Sequence, residues 1–414
     1  MSVTIQQIEE AAERLRGVVA KTPLQFSKRL SKQYHAKIYL KREDLQEVRS
    51  FKIRGAYNKI RSLSEAERKR GVVAASAGNH AQGVAYSCCA LKIKGVIFMP
   101  VVTPLQKIDK VKHFGGKYIE IRLVGNTFDE ASCASASYCK QRNAIYVHPF
   151  DDPLTIAGQG TIGKEIFEEL KGELDVVVAP IGGGGLISGV STFIKNKNPK
   201  ISIVGAEPLG AAAMHESIKK NKIITLSKID TFVDGAAVQK VGEITFGICK
   251  RLVQEIIVVP EGKDCATMVE LYQDEGIIAE PAGALSVSAL GSLAGKIRGK
   301  TVVCILSGGN NDILRYPEIL ERSLVYQGRK HYFIIEFAQK PGQLRKFVND
   351  VLGPTDDIVR FEYIKKTSKE KGPALVGIEL RDSKDLEPLL KRMRGIGLNF
   401  RILTSEEMLY EYLI

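Results

Sequence analysis

Short apolar runs rich in valine and isoleucine recur along the first three quarters of the chain, and segments with helical spacing separate them. Clear examples are residues 72–76, 95–100, 175–180 and 301–306. Runs of this length between helices predict parallel strands, because parallel neighbours can be joined only by a crossover connection. We therefore predict an α/β fold with two parallel-sheet lobes, and we expect the functional site in the crevice between them.

The pattern changes after about residue 325, where strands and helices follow a different order. Strands are predicted at 331–337, 358–365, 375–381, 399–403 and 408–413, and helices at 341–351 and 383–394. The order βαββαβ, with an extra strand, is that of a ferredoxin-like α+β module. A chain of 414 residues also exceeds what one core usually supports. We predict a main domain at 1–325, with a smaller lobe at about 52–150, and a second domain at 326–414.

Composition and spacing argue against several functional classes. The sequence has no apolar run of about 18 residues and no apolar block at its start, so we expect a cytoplasmic protein without a membrane partner. The net charge of +13 is spread along helices and is not gathered into one run, so we expect no nucleic-acid partner. The 7 cysteines form no C-x-x-C pair and the 6 histidines lack ligand spacing, which indicates reduced thiols and no metal site.

The stretch 50–56, Ser-Phe-Lys-Ile-Arg-Gly-Ala, places a lysine beside an aromatic side chain. A lysine that is partly removed from water loses its charge more readily and becomes a nucleophile, as Schiff-base chemistry requires. Lys52 is therefore a candidate nucleophile. The alternative is that Lys52 only opens a basic helix that continues through Arg54 and Lys59, and this heptapeptide alone does not separate the two interpretations.

Four consecutive glycines at 182–185 lie between a predicted strand and a predicted helix. Such a loop lets the backbone wrap closely around a phosphate. A dinucleotide site is the alternative, because Glu207 ends the next predicted strand, where a ribose-binding acid would lie. The third glycine of that motif is replaced by Ile187 or Ser188, depending on where the count begins, and no P-loop lysine follows. The spacing therefore favours a single phosphate.

The stretch 76–80, Ser-Ala-Gly-Asn-His, lies where a predicted strand meets the start of a helix. The first N–H groups of a helix have no carbonyl partner within it, and they bind anions such as a substrate carboxylate. Ser76, Ala77, Gly78 and His80 are therefore candidate substrate-binding residues. An N-cap followed by a glycine turn explains the same residues.

Two later stretches are weaker signals. Ser307 begins the sequence Ser-Gly-Gly-Asn-Asn directly after the predicted strand 301–306, so its side chain would face the crevice. Glu280 precedes a predicted helix, where a carboxylate would either line the site or interact with the helix dipole. An ordinary glycine turn and an ordinary helix start account for both.

Taken together, these stretches resemble the fold-type II pyridoxal-phosphate enzymes, and most closely the biosynthetic threonine dehydratases. The resemblance covers nearly the whole chain and rests on Ser-Phe-Lys-x-Arg-Gly-Ala, Ser-Ala-Gly-Asn-His-Ala-Gln-Gly, the four glycines and Ser-Gly-Gly-Asn. It implies pyridoxal 5'-phosphate as the cofactor. It also implies that the module at 326–414 is a single ACT-like regulatory domain.

The resemblance implies a role for individual residues. Lys52 matches the catalytic Schiff-base lysine, and Phe51 matches the aromatic residue beside the cofactor ring. Asn79 matches the side chain that forms a hydrogen bond with the ring hydroxyl of the cofactor. Ser307 matches the catalytic residue that pairs with the pyridine nitrogen of the cofactor. The phosphate loop corresponds to Gly182, Gly183, Gly184, Gly185 and Leu186.

The implied activity is the deamination of L-threonine to 2-oxobutanoate and ammonia, the first step of isoleucine synthesis. The alternatives within the fold are a serine dehydratase or a serine racemase. Racemases of this fold carry a serine where this chain has Ala77, which has no proton to return to the substrate. A noncatalytic amino-acid sensor is an alternative from a different class. The resemblance further implies a homotetramer, with isoleucine or valine as a possible effector of the ACT-like domain.

Overall fold

The structure is a computed structural model that describes residues 3–364 and 370–404. The chain forms two units. The first comprises Met1–Glu261 and Asp274–Asn311, and the second comprises Gly262–Gln273 and Asp312–Ile414. The second unit therefore takes two segments, 262–273 and 312–325, from the span 1–325 that the sequence assigned to the main domain.

The elements up to residue 306 alternate between helices and strands, as the apolar runs predicted. In chain order they are α1 (Ile5–Leu15), β1 (Leu24–Phe26), α2 (Lys28–Tyr34), β2 (Lys37–Arg42), α3 (Lys52–Arg61), α4 (Glu65–Arg70), β3 (Val72–Ala75), α5 (Asn79–Leu91), β4 (Gly95–Met99), α6 (Leu105–Gly115), β5 (Ile119–Leu123), α7 (Phe128–Arg142), β6 (Ile145–Tyr146), α8 (Pro153–Glu169), β7 (Val176–Pro180), α9 (Gly185–Lys197), β8 (Ser202–Pro208), α10 (Ala213–Lys219), α11 (Glu243–Leu252), β9 (Glu255–Val259), α12 (Glu261–Glu275), α13 (Pro281–Ser288), α14 (Leu290–Ile297) and β10 (Thr301–Leu306).

Two sheets organise the first unit. The smaller sheet has the order β5-β4-β3-β6, and all of its strands are parallel. The larger sheet has the order β1-β2-β10-β7-β8-β9 and is parallel except for the β1–β2 pair. The prediction of two parallel-sheet lobes is confirmed. We report one addition: β2, which precedes the smaller lobe in sequence, pairs with β10 and so belongs to the larger sheet.

Local sequence explains where the first helix begins. The hydroxyl of Thr4 accepts a hydrogen bond from the backbone N–H of Gln7, and the Gln7 side chain accepts one from the Thr4 N–H. This reciprocal pair of hydrogen bonds is a capping box. The helix ends at Leu15, and Gly17 follows with a φ of 74°. A left-handed residue at that position suits the turn that stops a helix.

The second unit contains an antiparallel sheet. Its elements after residue 311 are α15 (Tyr316–Tyr326), β11 (Lys330–Ala338), α16 (Gln343–Val351), β12 (Asp357–Tyr363), β13 (Lys371–Glu379), α17 (Leu386–Gly395) and β14 (Asn399–Ile402). The strand order β12-β13-β11-β14 and the sequence βαββαβ confirm the predicted ferredoxin-like module. The extra strand predicted at 408–413 lies outside the described residues.

Helix α12 also belongs to the second unit, through its residues 262–273. A Cβ atom on Gly262 would lie 2.7 Å from the Cβ of Tyr326, so the two helices α12 and α15 pack closely there. The rings of Tyr272 and Tyr316 are 6.1 Å apart. This helix therefore has its packing partner about fifty residues further along the chain.

A buried group of four charged side chains holds α3 in the first unit. The Arg54 guanidinium donates to both oxygens of Glu43, each at 2.8 Å, and to both oxygens of Glu165, at 2.6 and 2.9 Å. Lys41 donates to Glu165 at 2.5 Å, and Lys41, Glu43 and Arg54 are at most 1% exposed. Two cations are balanced by two carboxylates, as burial of charge requires. This charge quartet joins β2, the start of α3 and α8.

We predict that Arg54→Met destabilises the first unit by about 3 to 5 kcal/mol, because two carboxylates would remain buried around one lysine. The free energy of unfolding in urea, followed by circular dichroism, measures this loss. Arg61→Met is the matched control, because Arg61 is exposed on the same helix. A change of about 0.5 kcal/mol or less is expected for the control. Equal effects of the two substitutions would contradict the importance of the quartet.

Candidate active site

A cavity with an empty volume of about 360 Å³ lies at the carboxyl ends of β7 and β10. It is lined by Phe51, Lys52, Phe150, Gln159, Pro180, Gly182, Gly183, Gly184, Gly185, Leu186, Gly235, Ala236, Ala282 and Ser307. Carboxyl ends of parallel strands are the usual place for a ligand in such sheets. The structure therefore brings the lysine stretch, the glycine loop and Ser307 together at one cavity.

Lys52 is the first residue of α3 and its side chain is partly buried in this cavity. The Nζ atom donates a hydrogen bond to the carbonyl oxygen of Pro149 at 3.4 Å and lies 5.2 Å from the centre of the Phe51 ring. Burial lowers the pKa of Lys52 to about 8, although the negative charge of Glu280 opposes this effect. An amine with this pKa is partly neutral near pH 7.5, so it can act as a nucleophile or as a base.

The glycine loop forms a cradle that side chains would fill. A Cβ atom on Gly183 would lie 2.2 Å from the Phe150 ring, and one on Gly185 would lie 2.5 Å from the Oε1 atom of Gln159. Gly184 has a φ of 90° and caps the start of α9. The backbone of the loop can therefore approach a ligand closely, and the N-terminus of α9 is suited to an anion. These features fit a phosphate group.

Glu207 does not serve the glycine loop. It is fully buried, and its two oxygens accept hydrogen bonds from the backbone N–H groups of Met214 and His215, at 2.8 and 2.7 Å. Burial raises the pKa of Glu207 to about 8, while these two hydrogen bonds oppose the shift. Because both oxygens are engaged at α10, the geometry favours a single phosphate at the loop over a dinucleotide.

The stretch 76–80 forms the turn before α5, with Gly78 at the N-cap position. The Gly78 N–H donates to the Ser76 hydroxyl at 3.2 Å. The ring of His80 is buried, and its Nε2 atom lies 2.8 Å from the Val147 carbonyl oxygen, to which it donates. Burial, and then the charge of Lys52, lower the pKa of His80 to about 3, so its ring stays neutral. The backbone N–H groups at this helix start are therefore the groups suited to an anion.

Ser307 lies at the end of β10, where its hydroxyl donates to the Ala282 carbonyl oxygen at 3.1 Å. The Ser307 carbonyl oxygen in turn accepts from the backbone N–H of Phe51 at 3.0 Å. These contacts place a neutral hydroxyl beside the lysine stretch. A hydroxyl can both donate and accept, so it can pair with a ring nitrogen in either protonation state.

Asn79 contacts Glu280, for which the sequence left a place in the site open, and Asn310, to which it gave no role of its own. Its Nδ2 atom donates to Glu280 at 2.6 Å, and its Oδ1 atom accepts from the Asn310 side chain at 2.7 Å. Burial, and then the charge of Asp234, raise the pKa of Glu280 to about 7. The position of Glu280 before Pro281 marked a helix start, but no local signal indicated that its carboxylate reaches Asn79.

The sequence also missed several lining residues. Phe150, Gln159, Gly235, Ala236 and Ala282 line the cavity from loops and helices far from the motifs. Only Ala282 carried a hint, because it follows Glu280 at a predicted helix start. The described residues contain no cluster of three or more histidine, cysteine, aspartate or glutamate side chains arranged to hold a metal ion. Among them there is likewise no helix with the length and apolar character needed to cross a membrane.

Comparison with known proteins shows which family this chain belongs to. Residues 15–308 match the model of the pyridoxal-phosphate dependent enzymes, and residues 321–413 match the C-terminal regulatory domain of threonine dehydratase. Over 412 residues the chain is 52% identical to the biosynthetic L-threonine dehydratase IlvA of Halalkalibacterium halodurans, covering 100% of this chain and 99% of that protein. The chain belongs to the biosynthetic L-threonine dehydratase family. Dependence on pyridoxal phosphate follows from the family, as the resemblance implied.

Other similar proteins include a second dehydratase of this family, a threonine deaminase and a serine racemase. The IlvA protein of Bacillus subtilis strain 168 is 50% identical, covering 100% of this chain and 98% of that protein. The processed form of threonine deaminase isoform 2 from Solanum lycopersicum has a TM-score of 0.73 and 39% identity, covering 78% of this chain and 95% of that one. Maize serine racemase has a TM-score of 0.72 and 32% identity, covering 79% and 99%. The fold is thus shared with racemases as well as with deaminases.

We predict that the apoprotein captures pyridoxal phosphate with a pH midpoint near 8, because only the neutral Lys52 amine attacks the cofactor aldehyde. Below the pKa the amine is protonated, so the rate of capture should rise as the pH increases through 8. Stopped-flow absorbance between pH 6 and pH 10 measures the rate. An ordinary lysine would give a midpoint near 10.4, and such a result would refute the assigned environment. Lys52→Ala is the control and should abolish capture.

Proposed function

We propose that the chain is an L-threonine ammonia-lyase, a carbon–nitrogen lyase that converts L-threonine to 2-oxobutanoate and ammonia in isoleucine synthesis. The observation that carries the proposal is the position of Lys52, whose lowered pKa and partial burial suit a base, in the same cavity as the glycine cradle. The names of relatives that are about half identical over the whole chain support the choice of substrate.

The residues that line the cavity, together with Asn79, which is not among them, would hold the cofactor. Lys52 would hold its aldehyde, Phe51 would lie beside its ring, and residues 182–186 would cradle its phosphate. Ser307 would meet its pyridine nitrogen, and Asn79 its ring hydroxyl. When bound, pyridoxal phosphate supplies an electron sink for the bond that breaks at the amino-acid Cα.

The side chains of this protein would then handle the substrate and its protons. The turn at 76–80 and the first N–H groups of α5 bind the carboxylate of threonine, with Ser76, Ala77, Gly78 and His80 around it. The neutral Lys52 amine takes the Cα proton as a general base. The protonated Lys52 amine would then give a proton to the β-hydroxyl, which leaves as water while the electrons of the broken Cα–H bond form a double bond to Cβ. A second water molecule would hydrolyse the resulting imine to 2-oxobutanoate and ammonia. Ser307 is a neutral hydroxyl and not a carboxylate, so it favours prompt loss of the β-hydroxyl over a long-lived carbanion.

Ala77 separates this proposal from the racemase alternative. Ala77 occupies the turn before α5 and carries a methyl group, which cannot return a proton to the Cα atom. Serine dehydration remains the nearer alternative, because one methyl group in a pocket changes discrimination by only about 1 to 3 kcal/mol. The test therefore compares threonine with serine directly.

We predict that the purified holoenzyme releases 2-oxobutanoate and ammonia from L-threonine, with a higher kcat/KM for threonine than for serine. Coupled assays of the oxo acid and chiral chromatography of serine measure both reactions. Lys52→Ala should lower kcat by about 10²- to 10⁴-fold, the usual contribution of a general base. Lys69→Ala, at an exposed position of α4, is the matched control and should retain activity. D-serine as the main product, or failure of the protein to take up the cofactor, would refute the proposal.

We also propose boundaries and a role for the second domain. The catalytic domain would span 1–325, with its smaller lobe at about 52–150, and the ACT-like regulatory domain would span 326–414. The sheet order β12-β13-β11-β14 supports this assignment, because it gives the regulatory domain its own core around Phe333, Phe347, Val376 and Leu389. Isoleucine or valine would be the effector, the protein would be a cytoplasmic homotetramer, and nucleic acid and membranes would not be partners.

We predict that isoleucine binds the full chain and changes the KM for threonine by about fivefold or more, which is the scale of a typical allosteric coupling. A chain that ends after Arg329 keeps α15, and therefore the partner of α12, but lacks the antiparallel sheet. It should lose both the binding and the response. Calorimetry and steady-state kinetics measure the two effects. Identical isoleucine binding and kinetics in both chains would refute the effector role, since allostery requires different affinities for two states.

A further inference from the structure

The side-chain amide of Asn79 is held at both of its ends. On one side its Nδ2 atom donates to the Oε1 atom of Glu280 at 2.6 Å. On the other side its Oδ1 atom accepts from the Nδ2 atom of Asn310 at 2.7 Å. An asparagine amide has one oxygen acceptor and two N–H donors. These two hydrogen bonds use the oxygen and one N–H, and so they leave one N–H for another partner.

The opposite orientation of this amide is unfavourable for electrostatic reasons. When Glu280 is ionised, above its pKa of about 7, exchanging the oxygen and nitrogen of Asn79 would bring its oxygen against the Glu280 carboxylate and its N–H groups against the N–H groups of Asn310. Two hydrogen bonds would be lost, and two repulsive contacts would replace them. A buried polar group that loses its partner costs about 1 to 3 kcal/mol, so a single orientation is strongly favoured.

The two partners of Asn79 are themselves held in place. The Asn310 side chain also donates to the Val48 carbonyl oxygen at 2.8 Å, and the Asn310 backbone N–H donates to the Oε2 atom of Glu280 at 3.2 Å. A Cβ atom on Gly308 would lie only 2.3 Å from the Oε1 atom of Glu280, so that glycine leaves the space that the carboxylate occupies. Glu280 is 5% exposed. Water therefore has little access to the Glu280 carboxylate, whereas Asn79 and Asn310 are half-buried.

We propose that Glu280 and Asn310 are positioning residues that fix the amide of Asn79, so that its remaining N–H serves the ring hydroxyl of the cofactor. The inference rests on the proposed role of Asn79 at that ring. It assigns Glu280 and Asn310 a task that neither a helix start nor a glycine turn requires. It also ties the orientation of Asn79, at the start of α5 in the smaller lobe, to two residues beside the strands of the larger sheet.

A double-mutant cycle on the holoenzyme tests this inference. The variants are Asn79→Ala, Asn310→Ala and the combination of the two, and the readouts are the dissociation constant and the visible absorbance maximum of pyridoxal phosphate. Loss of one hydrogen bond to the cofactor should weaken its binding about tenfold in Asn79→Ala. Because Asn310 acts through Asn79, Asn310→Ala should weaken binding to a similar extent and shift the absorbance in the same direction. The double variant should then bind within about twofold of either single variant.

The outcomes separate the inference from the function on which it rests. If the double variant binds pyridoxal phosphate about a hundredfold more weakly than the unsubstituted protein, the two residues act independently and the inference is wrong. Unchanged cofactor binding in Asn310→Ala, with weakened binding in Asn79→Ala, would also overturn it and leave the proposed function intact. If Asn79→Ala itself changes neither readout, the proposed contact of Asn79 with the cofactor fails.

A second variant, Glu280→Gln, tests the same inference in case Asn310→Ala does not fold. Glu280→Gln keeps the size of the side chain, but its amide accepts at one oxygen instead of two, so the pairing with Asn79 and Asn310 is weakened. The charge of Glu280 also raises the pKa of Lys52, so binding is measured at about pH 9.5, where the Lys52 amine is neutral in every variant. There we expect Glu280→Gln to weaken cofactor binding when Asn79 is present and to have no further effect in the Asn79→Ala background. The melting temperature of each apoprotein shows whether the variant is folded. An equal loss in both backgrounds would refute the positioning role of Glu280.

Discussion

The burial of one amine is the constraint on which the site depends. Lys52 can act as a nucleophile or a base near neutral pH because removal from water lowers its pKa to about 8. That position must be held by the protein, since a solvated lysine would keep its proton. The charge quartet performs this task, because Arg54 lies two residues after Lys52 and is bound to carboxylates on both sides. Helix α3 therefore begins with a partly buried amine next to the cavity, and the fully buried Arg54 follows two residues later.

Much of the fold could be predicted from the sequence because its signals are local. Apolar runs of strand length and the glycines at 182–185 depend on neighbouring residues, and the structure places both as expected. The pairing of β2 with β10 could not be predicted, because the two strands lie more than 250 residues apart and neither carries a signal for its partner. The sequence also did not predict that residues 262–273 of α12 belong to the second unit, because their packing partner α15 is distant in sequence.

Site residues could be predicted from the sequence where a short motif contains the reactive or ligand-binding group itself. Lys52, the glycine loop and Ser307 meet at one cavity, as the crevice argument required. The pairing of Glu280 and Asn310 with Asn79 could not be predicted, because Asn79 is about 200 residues away from both in sequence. The ring of Phe150 escaped notice too, although it explains why Gly183 can carry no side chain. A residue that acts by packing against or hydrogen-bonding a distant residue gives no local pattern in a single sequence.

The position of α12 has a consequence for how this protein can be rebuilt by recombination. Its residues 262–273 belong to the second unit, but they are encoded between β9 and α13 of the first. A premature stop codon therefore cannot remove the whole second unit, because α12 would remain in the shortened protein without its packing partner α15. Transplanting this unit onto another enzyme would require two grafts, one internal and one terminal, chosen so that both halves of the α12–α15 contact travel together.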